Sequence, residues 1–426
     1  MNKRLSVEII SFLLIFCMIG FSACVKDSCK QDRTYTYYQP VYKTKQEVRT
    51  NIRNSAALEV ENPGKLNIRG NYIFLNEVDK GIHIIDNSNP SSPKNLGFIT
   101  IPGNMDIAVK GNILYADLYT DLVAIDISNP ANVKLLKVIE GVFPHRYWGM
   151  GFAPNGQSDK IITDWVPRDT TIRESCERNE MIAFSSFAGG DVFFSAKADN
   201  SSVSKSPVGV GGSMARFTIM NDRLYTVGFA ELDVFNIVNA GDPSHTGHIN
   251  LNWGIETIYP FKNKLFIGSQ TGMYIFNVNN PDAPVAAGEF NHVRTCDPVI
   301  ADDTYAYVTL RSGTTCQGFT NQLDILKLNN VTDPVHQKTY PLTNPHGLSK
   351  DGNILFICDG SDGLKVFDAA DILNLKQVAH VTGIDTYDVI AMNKVALVIA
   401  KDGLYQYNYA NPADLKLLSK IGITRK

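Results

Sequence analysis

"GIHIIDNSNP", residues 81–90, is an apolar burst that ends in a turn of Asp, Asn, Ser and Pro. It belongs to a series. Stretches beginning at Gly70, Gly111, Asn221, Lys262, Asp351 and Asn393 share one form. Each has a strand-like run after a Gly, Asn or Asp turn, then a short loop, a second run and a polar turn often closed by Asn-Pro. Two diverged copies fill the gaps. One sets "DKIITDW" (159–165) and "MIAFSSF" (181–187) around a long loop, 166–180. The other sets "TYAYVTL" (304–310) and "LDILKL" (323–328) around the loop 311–322.

Units open with pieces such as "NMDIAVK" (104–110) or "YDVIAM" (387–392), and many close with pieces such as "KLLKVI" (134–139). Four short strands per unit at a spacing of about 40–45 residues are the mark of a propeller blade. The expected fold is therefore all-β: a single β-propeller of eight blades over residues 64–426, with seven blades as the alternative count. A lone four-stranded sheet exposes two apolar faces and raw edges, whereas radial stacking buries the faces and leaves only short edges. A right-handed parallel β-helix is the main rival, but its rungs are shorter and lack Gly-turned antiparallel hairpins. Two smaller all-β domains would break the register.

The strand ends carry Asp86, Asp126, Asn277, Asp368 and Asn408. A side-chain oxygen there caps the following turn, and Pro90, Pro130, Pro281 and Pro412 fix φ and stop the ladder. Asn replaces Asp at two of the five, which favours capping over a carboxylate array for metal. Composition excludes one further class. The chain is 44% apolar and 19% charged with a formal charge of -3. Its Lys and Arg are not clustered, so no nucleic-acid partner is expected.

Lys3 and Arg4 precede an apolar run from about Ile9 to Ala23, the form of a bacterial export signal. The run is short for a spanning helix, which needs about 20 apolar residues. Phe21-Ser22-Ala23-Cys24 resembles a lipobox with Phe where Leu is usual, and Cys24 would then carry the lipid. A plain membrane anchor and an ordinary secretory signal are the alternatives. The reading divides the chain into a signal (1–23), an N-terminal tether and extended segment (24–63) and the propeller. The tether has Tyr35, Tyr37, Tyr38 and Tyr42, more aromatics than a free linker needs.

The bursts "IHIID", "LVAID" and "LKVFD", the first two followed by "NSNP" and "ISNP", resemble the LVIVD repeat. The leading "YTYYQPVYKTKQEVR" adds a resemblance to LVIVD-repeat lipoproteins of the Bacteroidota. That resemblance implies a propeller-like architecture and an envelope location, in the outer membrane or at the cell surface. It implies no catalytic residues. The units with "IAFSSF" and "LDILKL" depart from it, since the acidic strand end is missing.

In a propeller, the loops leading into the innermost strands share one rim with the loops between second and third strands. The binding candidates on that rim are Asp106, His145, Arg146, Trp148, Trp253, Glu256, Arg294, His346 and Tyr387. Aromatic and cationic groups converging on a concave rim suit a small-molecule, glycan or peptide ligand. Six cysteines remain after cleavage before Cys24. Cys296 and Cys316 fall in one unit and are expected to form a disulfide worth about 3 kcal/mol, while Cys358 reads as a buried apolar group. No Cys/His cluster has zinc spacing, and no metal or cofactor is expected. No nucleophile elbow or zinc-protease motif appears.

The function expected is a lipid-anchored binding or scaffold module for a protein, peptide or glycan of the envelope or the medium, and not an enzyme. The alternative is an extracellular carbohydrate-active hydrolase or lyase using rim acids, which would need two carboxyl groups about 5–10 Å apart. A purely structural member of an envelope complex would show a broad apolar patch.

Overall fold

The structure, a computed structural model, describes residues 30–144, 159–175, 210–291, 298–312, 320–328 and 333–424. Two compact units divide the chain: 1–40 with 165–193, and 41–164 with 194–426. The strands Lys30–Thr44 and Lys160–Ser175 form a two-stranded sheet, of which 30–40 and 165–175 belong to the smaller unit. Thr36 Oγ1 donates to Asp169 Oδ1 at 2.7 Å, and the Thr34 and Thr171 hydroxyls lie 3.1 Å apart.

Among the described residues, the strands of the larger unit form seven sheets. Blade 1 comprises Pro63–Arg69, Tyr72–Glu77, Gly81–Asp86 and Lys94–Thr100. Blade 2 comprises Ile107–Lys110, Ile113–Leu118, Asp121–Asp126 and Lys134–Ile139. Blade 3 comprises Phe217–Met220, Arg223–Val227, Glu231–Asn236 and Ser244–Asn250. Blade 4 comprises Ile255–Phe261, Lys264–Ser269, Gly272–Asn277 and Val285–Asn291. Blade 5 comprises Val299–Ala301, Tyr305–Leu310, Gln322–Lys327 and Val335–Pro341. Blade 6 comprises Leu348–Asp351, Ile354–Cys358, Leu364–Asp368 and Lys376–Val381. Blade 7 comprises Thr386–Met392, Val395–Ala400, Gly403–Asn408 and Lys416–Gly422. Within each blade the strands are antiparallel and ordered in sequence.

The expected eight blades are thus corrected to seven. The unit built on "DKIITDW" is not a blade, because its strand pairs with Lys30–Thr44. Its companion "MIAFSSF" lies outside the described residues. Blade 2 packs directly on blade 3, with Tyr115, Leu122 and Ala124 buried against Phe217, Leu224 and Phe235. Tyr115 Oη also donates to the Ala240 carbonyl at 2.7 Å. The other diverged copy, "TYAYVTL" with "LDILKL", does form a blade, the fifth. Its apolar alternation suffices without an acidic strand end.

Two details repeat seven times and confirm the count. In every blade the turn after the third strand donates a backbone N–H to the turn after the first, as in Asn87 to Asn71 and Ile127 to Asn112. In every blade the outermost strand also carries a β-bulge at one place. The extra residues are Leu96, Leu136, Thr246, Ala287, Gln337, Val378 and Leu418. A bulge twists an edge strand away from further pairing, so the repeated defect protects the perimeter.

The strand-end caps behave as expected. Asp86 Oδ1 accepts from Ser88 N, Asp126 Oδ1 from Ser128 N, and Asn277, Asp368 and Asn408 make the same bond at 2.8–2.9 Å. Asn236 adds a sixth.

Blades 7 and 1 close the ring through Leu66, Ile73 and Leu75 against Ile390, Leu397 and Ile399. Val60 bridges Ile423 in parallel, and the Asn87 and Gln406 amides exchange two hydrogen bonds at 2.7 and 2.9 Å. The segment before blade 1 is built into this unit. Its short helix, Lys45–Arg49, is capped by a reciprocal Thr44–Glu47 box, and Arg49 reaches Asp121 at 2.9 Å. Arg53–Ser55 then pairs outside blade 1.

No disulfide occurs among the described residues, where Cys358, fully buried, is a free thiol. The expected disulfide is corrected accordingly, and Cys296 and Cys316 lie outside the described residues. So do Cys24, His145, Arg146, Trp148 and Arg294.

Candidate functional site

The protein's own chain crosses the hub of the ring. Val210–Gly211 pairs with the inner edge of blade 1, opposite Ile68 and Asn67. The chain then crosses to blade 3 and bonds to most of the blades on its way. Gly212 N donates to Leu66 O, Ser213 N to Asp388 Oδ1 of blade 7, and Leu348 N of blade 6 to Ser213 Oγ. Ala215 O accepts from Ile258 N of blade 4, and Arg216 N donates to Asp106 Oδ2 beside blade 2 at 2.6 Å. Glycine at 212 is required by contact, since a Cβ there would fall 1.6 Å from Asp388 Oδ2.

This crossing packs on the buried polar groups Lys65, Asp106 and Asp388, and His346 is buried as well. Burial pushes the Asp388 carboxyl up to about 7, against the opposing pull of Val389 N–H, Lys65 and Ser213. Asp106 is raised for the same reason, with Lys65 and the Arg216 and Ile107 amides drawing it back. His346 is driven down to about 3 by burial and then by Arg311, so its imidazole is neutral. Asn344 Nδ2 donates to His346 Nε2 at 3.3 Å, which places the ring proton on Nδ1. Among the described residues, Asp388 Oδ2 and His346 Nδ1 have no hydrogen-bond partner.

The five described rim candidates fall into three groups. His346 and Tyr387 meet edge to face, with ring centroids 5.3 Å apart. Asp106 and Glu256 are joined through Arg216, whose Nε donates to Glu256 O while its amide serves Asp106. Trp253, 53% exposed, stacks on Phe229 at 6.3 Å and 27°. Around it, Asn252 Nδ2 donates to Tyr274 Oη, and Gln270 Nε2 to Glu256 Oε1 at 3.1 Å. Asp106 and His346 are thus interior polar groups, whereas Trp253 is a surface group.

Sequence reasoning missed the crossing. Its signal is Gly211-Gly212-Ser213, small residues that let two backbones approach closely. Away from the hub, a cavity of about 200 Å³ is lined by Val41, Val48, Pro102, Tyr119 and Thr163, among others. Ligand pockets usually measure about 300–1,000 Å³, so it is small for an organic ligand.

Comparison with known proteins agrees with the geometry. The family profile described as the LVIVD repeat matches residues 64–99 and 103–139, which are blades 1 and 2. No curated protein matches the chain. Among solved structures, Sqt1 of Saccharomyces cerevisiae is 10% identical with a TM-score of 0.51, over 91% of this chain and 89% of that one. The periplasmic gluconolactonase PpgL of Pseudomonas aeruginosa is 10% identical with a TM-score of 0.52, over 85% of this chain and 96% of that one. At such identity the likeness is one of fold.

Proposed function

We propose that this seven-bladed, LVIVD-repeat-containing propeller is a binding or scaffold module that recognises a protein, peptide or glycan through the rim around Trp253. The observation that carries the reading is an indole left half in water yet stacked, at 6.3 Å and 27°, on Phe229. A half-exposed aromatic face in the loop that enters blade 4, with Asn252 beside it in sequence and Gln270 and Glu256 on the same blade, offers a stacking platform with polar groups in reach. Sugar rings and peptide side chains use such platforms, and exposed Trp is a frequent binding hot spot. Trp253→Ala is expected to weaken binding at least tenfold, about 1.4 kcal/mol or more. The check is to screen the mature chain on a glycan array and a displayed-peptide library, then titrate the best hit against both forms. Equal affinities would remove Trp253 from the site.

The hydrolase or lyase reading draws on the raised carboxyls of Asp106 and Asp388 and on the name of the gluconolactonase that shares the fold. Both carboxyls are buried, with Asp388 packed against Gly212. A substrate would have to displace that chain, which favours the binding reading. A purely structural role would draw on a broad apolar patch. The exposed large apolar residues include Leu96, Leu136, Val285 and Val335, each on the outermost strand of a different blade.

The proposal includes attachment to a membrane surface through lipid on Cys24, as in lipoproteins of the Bacteroidota. Its support is the charged head, apolar run and Phe21–Cys24 stretch in the sequence. No helix among the described residues is long and apolar enough to cross a membrane. In detergent-phase partitioning of the expressed full-length chain, the native form is expected in the detergent phase and Cys24→Ser in the aqueous phase. Identical partitioning would exclude lipid at Cys24.

A further inference from the structure

On a regular strand, residues three apart point to opposite faces. His245 and His248 lie three apart on the outermost strand of blade 3, yet both reach Asp233 on the neighbouring strand. The bulge at Thr246 is the cause. It pairs His245 with Phe235 and His248 with Asp233, two positions on one face of the third strand. His245 Nε2 lies 2.7 Å and His248 Nδ1 2.9 Å from Asp233 Oδ1.

Each blade offers the same three positions, one on the third strand and two flanking the bulge. Blade 1 fills them with His83, Asn95 and Phe98, and blade 5 with Asp324, His336 and Thr339. Blade 6 has Lys365, Gln377 and His380. Among the described residues, blade 3 alone presents three strong ligands with their donor atoms within 4.8 Å of one another.

From this juxtaposition we infer that Asp233, His245 and His248 form a surface site for one divalent transition-metal ion of the zinc class. Two imidazoles and a single carboxylate suit such an ion, whereas calcium and magnesium call for more oxygen ligands. Surrounding contacts orient the ligands. His248 Nε2 faces Asn250 Oδ1 at 3.3 Å, an acceptor that keeps the ring proton on Nε2 and leaves Nδ1 for the metal. His245 packs against the buried ring of Phe235, with centroids 5.1 Å apart. Bonds to zinc of about 2.0–2.2 Å require the ligand atoms to spread by roughly half an ångström from their present contacts. The two imidazoles have that freedom, being 43% and 47% exposed, while Asp233 is nearly buried and serves as the anchor. The remaining coordination positions face water.

The test is calorimetric titration of the untagged, chelator-treated mature chain with Zn²⁺, with Co²⁺ absorption as a second readout. One equivalent is expected to bind with a Kd of about 10 µM or tighter. His245→Gln and His248→Gln should each weaken binding at least tenfold, and His336→Gln in blade 5 should leave it unchanged. Zn²⁺ should also raise the melting temperature of the native chain and not that of His248→Gln. Both substituted imidazoles are solvent-exposed, so the variants should melt as the native chain does without metal. Absence of saturable binding up to millimolar Zn²⁺ would overturn the assignment. So would equal binding in the blade 3 variants, or an equal loss in His336→Gln.

Discussion

Gly212→Val is expected to lower stability by about 3 kcal/mol or more, read as a fall in the urea midpoint. The new Cβ would sit 1.6 Å from Asp388 Oδ2 and 2.5 Å from its Cγ. Neither side yields without losing a bond. Gly212 N is bonded to Leu66 O, and Ser213 is held between Asp388 and Leu348. On its other side Asp388 meets Gly347, where a Cβ would lie 2.1 Å from Oδ1. Overpacking alone costs about 1–3 kcal/mol, and expelling Asp388 from its bond to Ser213 adds to that. Asp388→Ala should relieve part of the defect, because it empties the space that the introduced isopropyl group would invade. A double-mutant cycle is expected to show a coupling of at least about 1 kcal/mol in the favourable direction. Additive effects would mean that the two residues do not compete for that space.

The second large effect is one of pH. In the folded protein Asp388 titrates near 7, above the usual carboxylate value, because burial penalises its charge. Below the unfolded pKa, near 4, both states are protonated and there is no penalty. Between about pH 4 and 7 the unfolded chain ionises while the folded state keeps its proton, so stability is lost across that window, and above 7 the fold holds a buried charge. Asp388→Asn removes that titration. Its expected gain is about 4 kcal/mol at pH 8 and about 1–2 kcal/mol at pH 5, from 1.36 kcal/mol per pKa unit. His346 acts oppositely in nearly the same window. Its depressed pKa means that acid stabilises the unfolded chain below about 6.5. Wild-type stability alone would therefore blur the two. The difference between Asp388→Asn and wild type cancels His346, and urea unfolding at both pH values isolates the carboxyl. A difference that does not change with pH would show that Asp388 is already ionised in the fold.

The propeller was legible in the sequence because its strands announce themselves locally. Ile82, Ile84 and Ile85 are fully buried, and the polar ends cap their turns as read. The blade count was not, because apolar alternation marks a strand without naming its neighbour. "KIITDW" has the pattern of a blade strand and pairs instead with the N-terminal strand. The candidate site was legible in part. Topology names the loops but not their burial: the interior position of Asp106 depends on a crossing segment whose Arg216 lies 110 residues further along the chain. Spacing likewise hides the blade 3 triad, since His-x-x-His on a strand predicts opposite faces until the bulge is seen.

The heptapeptide 210–216 has a consequence for how the protein is made and unmade. It cannot be seated until the first, second, fourth, sixth and seventh blades are in place to receive it, so assembly of the middle awaits synthesis of the end. Its contacts join residues up to 175 apart in the sequence, and pairing over such separations makes the last step of folding slow. An open array of repeats frays from its ends. Here the keystone sits at the centre, and dismantling one blade unlocks the rest together.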